Sequence, residues 1–323
     1  MHALRVHNYQ DGVRLDAVPV PEPGPGEVRV RVQASGVSFV DMLLARGEYQ
    51  MRPPLPFIGG SEFAGVVDAL GPGIEESVNL GDRVSGSISG GAWAQYLCVP
   101  AANLHNVGAS VPIEEAAVLN VPYGTALYAL RDRGQLQRGE TVLVLGASGS
   151  VGHAAVQLAK MLGARVLAAT SSAAKRDSVL DAGADEVLDA SDLTTWKDSV
   201  RALAPRGVDL VLDPVGGEMT DLAFRTLGWG GRHLMVGFAG GQIGALRSNL
   251  AIVKGASLVG VDIRQFGERE PVKFRALIAD IAALHREGRI RPRIAASFPL
   301  EQFSQAATQA LARDTVGRIL ICP

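Results

Sequence analysis

The sequence predicts an α/β protein, a doubly wound parallel sheet accompanied by a β-rich region, and three observations carry that prediction. From about Thr141 onward, six short β-rich runs alternate with helical patterns, which demands crossover connections and therefore a parallel sheet covered on both faces. A loop with glycines at 146, 149 and 152 follows the first of those runs and opens a helix. Residues 1 to about 120 instead read as strands and turns.

In order, RVRVQASGV (29–37) alternates and FAGVVDAL (63–70) is a short apolar strand, with PEPGPGE (21–27) and LGPG (70–73) as breakers, so this region is expected to be all-β. The six later strands are expected at TVLVLGA (141–147), RVLAAT (165–170), EVLD (186–189), DLVLDPV (209–215), RHLMVG (232–237) and SLVGVDI (257–263). A helix over 273–288 follows, with Gly288 suited to its C-terminal cap, and the C-terminal segment supplies one more helix and a last strand.

Composition narrows the function. The 323 residues are 47% hydrophobic and 20% charged, too apolar for a disordered chain and enough for about two domains. A net charge of −2 with no basic block argues against nucleic acid as a partner. Cys98 and Cys322 are far apart and outside any CxxC, so neither a disulfide framework nor a thiolate zinc site is expected. The N-terminus lacks a signal-peptide pattern and no apolar run reaches the roughly 18 residues that span a bilayer, so a cytoplasmic protein with no membrane partner is expected.

The run LGASGSVGHAAVQLAKMLGA (145–164) is the strongest local signal. Its glycines permit a tight turn, a close approach of backbone to a pyrophosphate, and packing of helix on strand, while the helix N-terminus offers N–H donors and partial positive charge. The spacing is GxxGxxG, with Ala147 where the first glycine of the usual GxGxxG would fall. At the end of the second strand, an NAD site usually carries an acid for the ribose hydroxyls. Here Thr170, Ser171 and Ser172 stand there with Lys175 and Arg176 just beyond, a set that attracts a 2′-phosphate, so the expected cofactor is NADPH. A solvated first helical turn is the competing use for Lys175 and Arg176, and Asp177 reads as a surface charge.

The segments SFVDMLLARGEYQMRPPLPFIGGSEFAGVVDALGPG, LGDRVSG, GGAWAQYLCVP, YGTALYAL and TVGRILI, together with the glycine loop, resemble the zinc-free quinone oxidoreductase branch of the medium-chain dehydrogenase/reductases over nearly the whole chain. The resemblance implies a Rossmann sheet inserted into a GroES-like catalytic domain: residues 1–122 form its N-terminal part, 123–263 the NADPH-binding domain, and 264–323 the return to the catalytic domain. Substrate and nicotinamide would meet in the cleft between the two domains. The zinc-ligand positions of the wider superfamily match Ser38, Ser61 and Val121, which cannot replace thiolates and imidazole, so no metal is expected. The six histidines show no paired ligand spacing.

Without a Lewis acid, the substrate must accept hydride unaided, as a quinone does, or be polarised by hydrogen bonds, as an enone or enoyl thioester can be. Motif matching gives the cofactor residues as Thr125 at the carboxamide, Gly149, Ser150 and Val151 at the pyrophosphate, Ser171, Lys175 and Arg313 at the 2′-phosphate, and Gly237 with Phe238 beside the nicotinamide. Two departures stand out: the family often has Asn at Ser38 and a Tyr at Ala190. Tyr49 and Ser38 are the candidate catalytic residues. Tyr49 matches a proton-donating tyrosine of enoyl-thioester reductases, although quinone reductases carry Tyr there too and a packed wall is its other use. Tyr123 reads as a wall, and Asp41 and Glu62 as structural hydrogen-bonders. Three functions remain open: an NADPH-dependent quinone reductase, an enone or enoyl-thioester reductase, and a crystallin-like nucleotide binder without turnover. A homodimer joined through the edge strand 257–263 is expected.

Overall fold

The computed structural model describes residues 1–74, 78–312 and 314–323. The chain divides into two compact units: Met1–Val121 with Ile278–Arg286 and Arg291–Pro323, and Pro122–Leu277 with Glu287–Ile290.

The second unit holds a six-stranded, wholly parallel sheet in the order Glu186–Asp189, Arg165–Thr170, Thr141–Val144, Val208–Asp213, Leu227–Met235, Ser257–Gly260. This is the doubly wound order, with the first strand central and the direction of winding reversing beside it. Every residue of Val142–Leu145 is fully buried, as a strand covered on both faces requires. Leu143, Leu167 and Val211 pack with Trp196, Phe224 and Leu227 into one core. All six expected strands are present. Four end earlier than expected, the first at Val144, the fourth at Asp213, the fifth at Met235 and the last at Gly260, after which Asp262 accepts the Gln265 N–H as the cap of a helix over Ile263–Arg269. That helix stays with this unit because Phe266 stacks on Tyr128 with ring centroids 4.2 Å apart and meets Phe274 edge-on.

The first unit is built on a seven-stranded sheet. Its main path runs Ile294–Phe298, Arg318–Ile321, Glu27–Val37, Glu62–Leu70, Arg83–Ser87, Leu104–Asn106, with Tyr96–Pro100 also paired to Glu27–Val37. The C-terminal strand enters this sheet by pairing Ile321 with Ser35 and Ile319 with Val37. Alternation along Glu27–Val37 sends Val28, Val30 and Val32 into a core with Phe63, Val67 and Leu97.

The all-β expectation for this region needs correction, because Phe39–Arg46 is a helix. Ser38 and Asp41 form a reciprocal capping box in which Ser38 Oγ accepts the Asp41 N–H at 3.0 Å and Asp41 Oδ2 accepts the Ser38 N–H at 2.9 Å. Gly47 ends the helix in the left-handed region at φ 69°, with the Tyr9 ring where a Cβ would stand. The cap signals at 38, 41 and 47 were present in the sequence and outweigh its strand-like surroundings.

Candidate active site

In the second unit, the strand Thr141–Val144 runs into the loop 145–149 and the helix Ser150–Met161. Gly146 takes φ 55°, a conformation that favours glycine, and a Cβ on Gly152 would collide with the Gly146 carbonyl oxygen. These two glycines hold loop and helix in close contact. The N-cap, Gly149, is extended and has no side chain, so the first-turn N–H groups at Ser150 and Val151 are not capped by it. A three-turn helix with such a terminus suits an anionic group, and the partly exposed 149–151 segment lies where a pyrophosphate is expected.

The second strand ends at Thr170, buried, with its Oγ1 3.2 Å from Ser148 Oγ, so a hydroxyl pair links this strand end to the glycine loop. Ser171 is exposed beside it. Lys175 is only 8% exposed, which sets it apart from the solvated lysine of the competing reading. Arg176 is spent on structure: its Nη1 donates to the Val187 carbonyl at 2.9 Å. The third strand's end does carry an acid, Asp189, but it accepts the Ser191 N–H at 2.8 Å, which holds its carboxyl below the usual range. Ala190 packs on the hydrophobic core. Thus hydroxyls and a cation, with no carboxylate, occupy the end of Arg165–Thr170, a set that fits a 2′-phosphate.

Gly237 and Phe238 follow the strand Leu227–Met235. The Gly237 N–H reaches the Asp213 carbonyl at 3.3 Å, and Phe238 lies against Gly216, so the loops after the fourth and fifth strands are laced together. Thr125 and Tyr123 are both buried on the helix Asn120–Leu127. Arg313 lies outside the described residues.

In the first unit, the three positions that would hold zinc surround a buried ionic cluster. Glu62, 1% exposed, accepts the Val121 N–H on Oε1 at 2.6 Å and Arg318 Nη2 on Oε2 at 3.0 Å. Burial pushes the Glu62 carboxyl up to about 7, against the opposing pull of Arg318 and the Val121 N–H. Burial likewise raises Asp41, while hydrogen bonds from Ser38 and Ser61 and the charge of Arg318 work the other way. The serines at 38 and 61 therefore serve the Asp41 carboxyl, and the backbone of Val121 serves Glu62. Among the described residues, no three His, Cys, Asp or Glu side chains gather in a way that could hold a metal ion. Arg318 went unremarked in the sequence; the terminal TVGRILI contains it, but only the return of that strand beside Val37 reveals its partner. Tyr49, half-buried, stands two residues beyond Gly47, the C-terminal cap of the helix that Ser38 starts.

The comparisons with known proteins agree with this architecture. Residues 24–109 match the alcohol dehydrogenase GroES-like domain and residues 150–282 the zinc-binding dehydrogenase family. The chain is 37% identical over 288 residues to quinone oxidoreductase-like protein 2 of Mus musculus, across 88% of this chain and 82% of that protein. It superposes on the mycobacterial protein Rv1454c, solved in complex with NADPH, with a TM-score of 0.92 at 32% identity, covering 100% of both chains. A second structure, of a mycobacterial quinone oxidoreductase, gives a TM-score of 0.88 at 32% identity, again over 100% of both. Fold and relatives together define an oxidoreductase. The chain belongs to the medium-chain dehydrogenase/reductase superfamily, among its quinone oxidoreductase-like members.

Proposed function

We propose that this oxidoreductase is an NADPH-dependent, zinc-independent quinone reductase. The observation that carries the cofactor choice is the end of Arg165–Thr170, where Thr170, Ser171 and the largely buried Lys175 stand in place of the acid that an NAD site would use. Gly149, Ser150 and Val151 would hold the pyrophosphate, Ser171 and Lys175 the 2′-phosphate, Thr125 the carboxamide, and Gly237 with Phe238 the nicotinamide. When bound, NADPH supplies a hydride. The binding of NADPH by one structural relative supports the same reading.

Zinc independence rests on the chemistry of the donor set. Two hydroxyls and a valine at 38, 61 and 121 form no site for Zn²⁺, and both Glu62 oxygens are already held, by the Val121 N–H and by Arg318. The substrate must then accept hydride without metal polarisation, which favours a quinone: hydride and one proton convert it to the hydroquinone, and water can supply the proton. Ser38 and Tyr49 are the candidate catalytic side chains, with Ser38 fixing the helix that leads to Tyr49.

A homodimer through Ser257–Gly260 is part of the proposal. The strand is the sheet's edge, Leu258 on it is exposed, and so are Ile252 and Val253 just before it in the chain and Trp229, whose ring lies against Gly255. The functional test is a panel of quinones, enones and enoyl thioesters with NADPH consumption as the readout. Turnover of quinones above the other classes is expected. Preferential saturation of a carbon–carbon double bond would replace the quinone assignment with an enone one, and NADPH binding without turnover on any of them would refute both.

A further inference from the structure

The second unit contains a buried acid that the cofactor reading has not used. Asp213, the last residue of Val208–Asp213, is fully buried and makes four side-chain hydrogen bonds. Its Oδ1 accepts the N–H groups of Val215 and Gly216 at 2.9 and 2.8 Å, and its Oδ2 accepts Thr220 Oγ1 at 2.8 Å and His233 Nε2 at 3.0 Å. Its backbone carbonyl takes the N–H groups of Val236 and Gly237 at 2.9 and 3.3 Å. One residue therefore ties the loop that follows its own strand to the loop that follows the neighbouring strand Leu227–Met235.

These are the loops at the carboxyl end of the parallel sheet, where a doubly wound domain holds its ligand. The link extends further, since Val215 lies against Gly146 of the glycine loop and Phe238 against Gly216. Burial on its own would raise the Asp213 carboxyl. The hydrogen bond and charge of His233, with the Gly216 N–H and the Thr220 hydroxyl, nevertheless hold it below the ordinary value, so it stays ionised. A carboxylate can only accept, so the His233 nitrogen facing it carries the hydrogen, and the ring is fixed.

We infer that Asp213, seated on His233 and Thr220, is a positioning residue for the nicotinamide half of the cofactor: it sets the backbone of 214–217 and of 236–238 against which that half rests. The inference depends on the cofactor reading above. It assigns the two halves of the dinucleotide to separate supports, because Lys175 and Ser171 lie on the opposite side of the first strand, at the end of Arg165–Thr170.

The test compares two ligands by direct binding: NADPH, which carries both halves, and 2′,5′-ADP, which carries only the adenosine half. In Asp213→Ala, the loss of acceptors for two loop N–H groups should weaken NADPH by about tenfold, with 2′,5′-ADP within about twofold of wild type. Asp213→Asn keeps an oxygen for the Val215 and Gly216 N–H groups but turns its NH2 toward Thr220 and His233, so it should restore part of the NADPH affinity, with 2′,5′-ADP again within about twofold of wild type. Thr220→Val, which removes a single hydrogen bond to the same carboxylate, should weaken NADPH by about threefold and leave 2′,5′-ADP unchanged, and it carries the comparison if Asp213→Ala does not fold. Equal changes for the two ligands, or none for either, would overturn the inference. Wild-type protein that binds 2′,5′-ADP but not NADPH, or binds neither, would overturn the cofactor reading itself and the inference with it.

Discussion

Replacing Glu62 by Gln tests the ionic cluster that stands where superfamily relatives keep their metal. The Glu62 proton leaves an unfolded chain near 4.5 and the folded protein at about 7, because burial penalises the charged form more than Arg318 and the Val121 N–H reward it. Since the folded pKa is raised, the native state holds a proton that the unfolded state has already lost between those values, and stability falls as pH rises through that window. That difference corresponds to roughly 3 kcal/mol, most of it lost between about pH 5 and pH 7. The Gln variant cannot ionise and should lack this component. The assay is urea unfolding at several pH values, read by hydrogen exchange in peptides of the strand Glu62–Leu70, which reports on the first unit alone. The wild type should lose stability relative to the variant as pH rises, with the difference growing from about pH 4.5 and levelling off above about pH 7. A difference that stays flat, or that favours the wild type at high pH, would refute the assignment of Glu62 as a carboxyl neutralised by burial.

Two further outcomes follow from the geometry. Gly152→Ala gains at most about 1 kcal/mol of helix propensity but drives a methyl into the Gly146 carbonyl, a clash worth about 1–3 kcal/mol, so the melting temperature should fall and NADPH affinity drop by about tenfold or more; calorimetry and a binding titration check both. Tyr49→Phe removes only a hydroxyl: kcat with quinones should stay within about threefold of wild type, whereas an enone, whose enolate needs a proton at carbon, should lose about a hundredfold if Tyr49 is its donor.

The doubly wound sheet was legible because its strands are short β-rich runs between helical patterns, and at the central strands Thr141–Val144, Arg165–Thr170 and Val208–Asp213 burial on both faces leaves no alternation to misread. The helix Phe39–Arg46 was not, because eight residues offer barely two turns of periodicity, and the information sits in its caps, Ser38, Asp41 and Gly47. The same limit hid the polar networks. Glu62 meets Arg318 across 256 positions of sequence, and Asp213 meets His233 only through the register of two parallel strands. A motif places one residue of such a pair, and the topology supplies the other. Lys175 shows the reverse: its type and spacing suggested a phosphate ligand, while its low exposure, which distinguishes it from a solvated helix charge, came only with the fold.

On the proposed function, the hydroxyls and Lys175 at the end of Arg165–Thr170 select NADPH for a hydride transfer to quinones. The most direct measurement is kcat/KM for NADPH and for NADH with 1,4-benzoquinone, in the wild type and in Lys175→Ala. A charge-assisted bond to the 2′-phosphate is worth about 1.5–3 kcal/mol, so the wild type should prefer NADPH by at least about tenfold, and the variant should lose most of that preference through a higher KM for NADPH with NADH little changed. Equal use of the two cofactors by the wild type, or a preference that survives in Lys175→Ala, would contradict it.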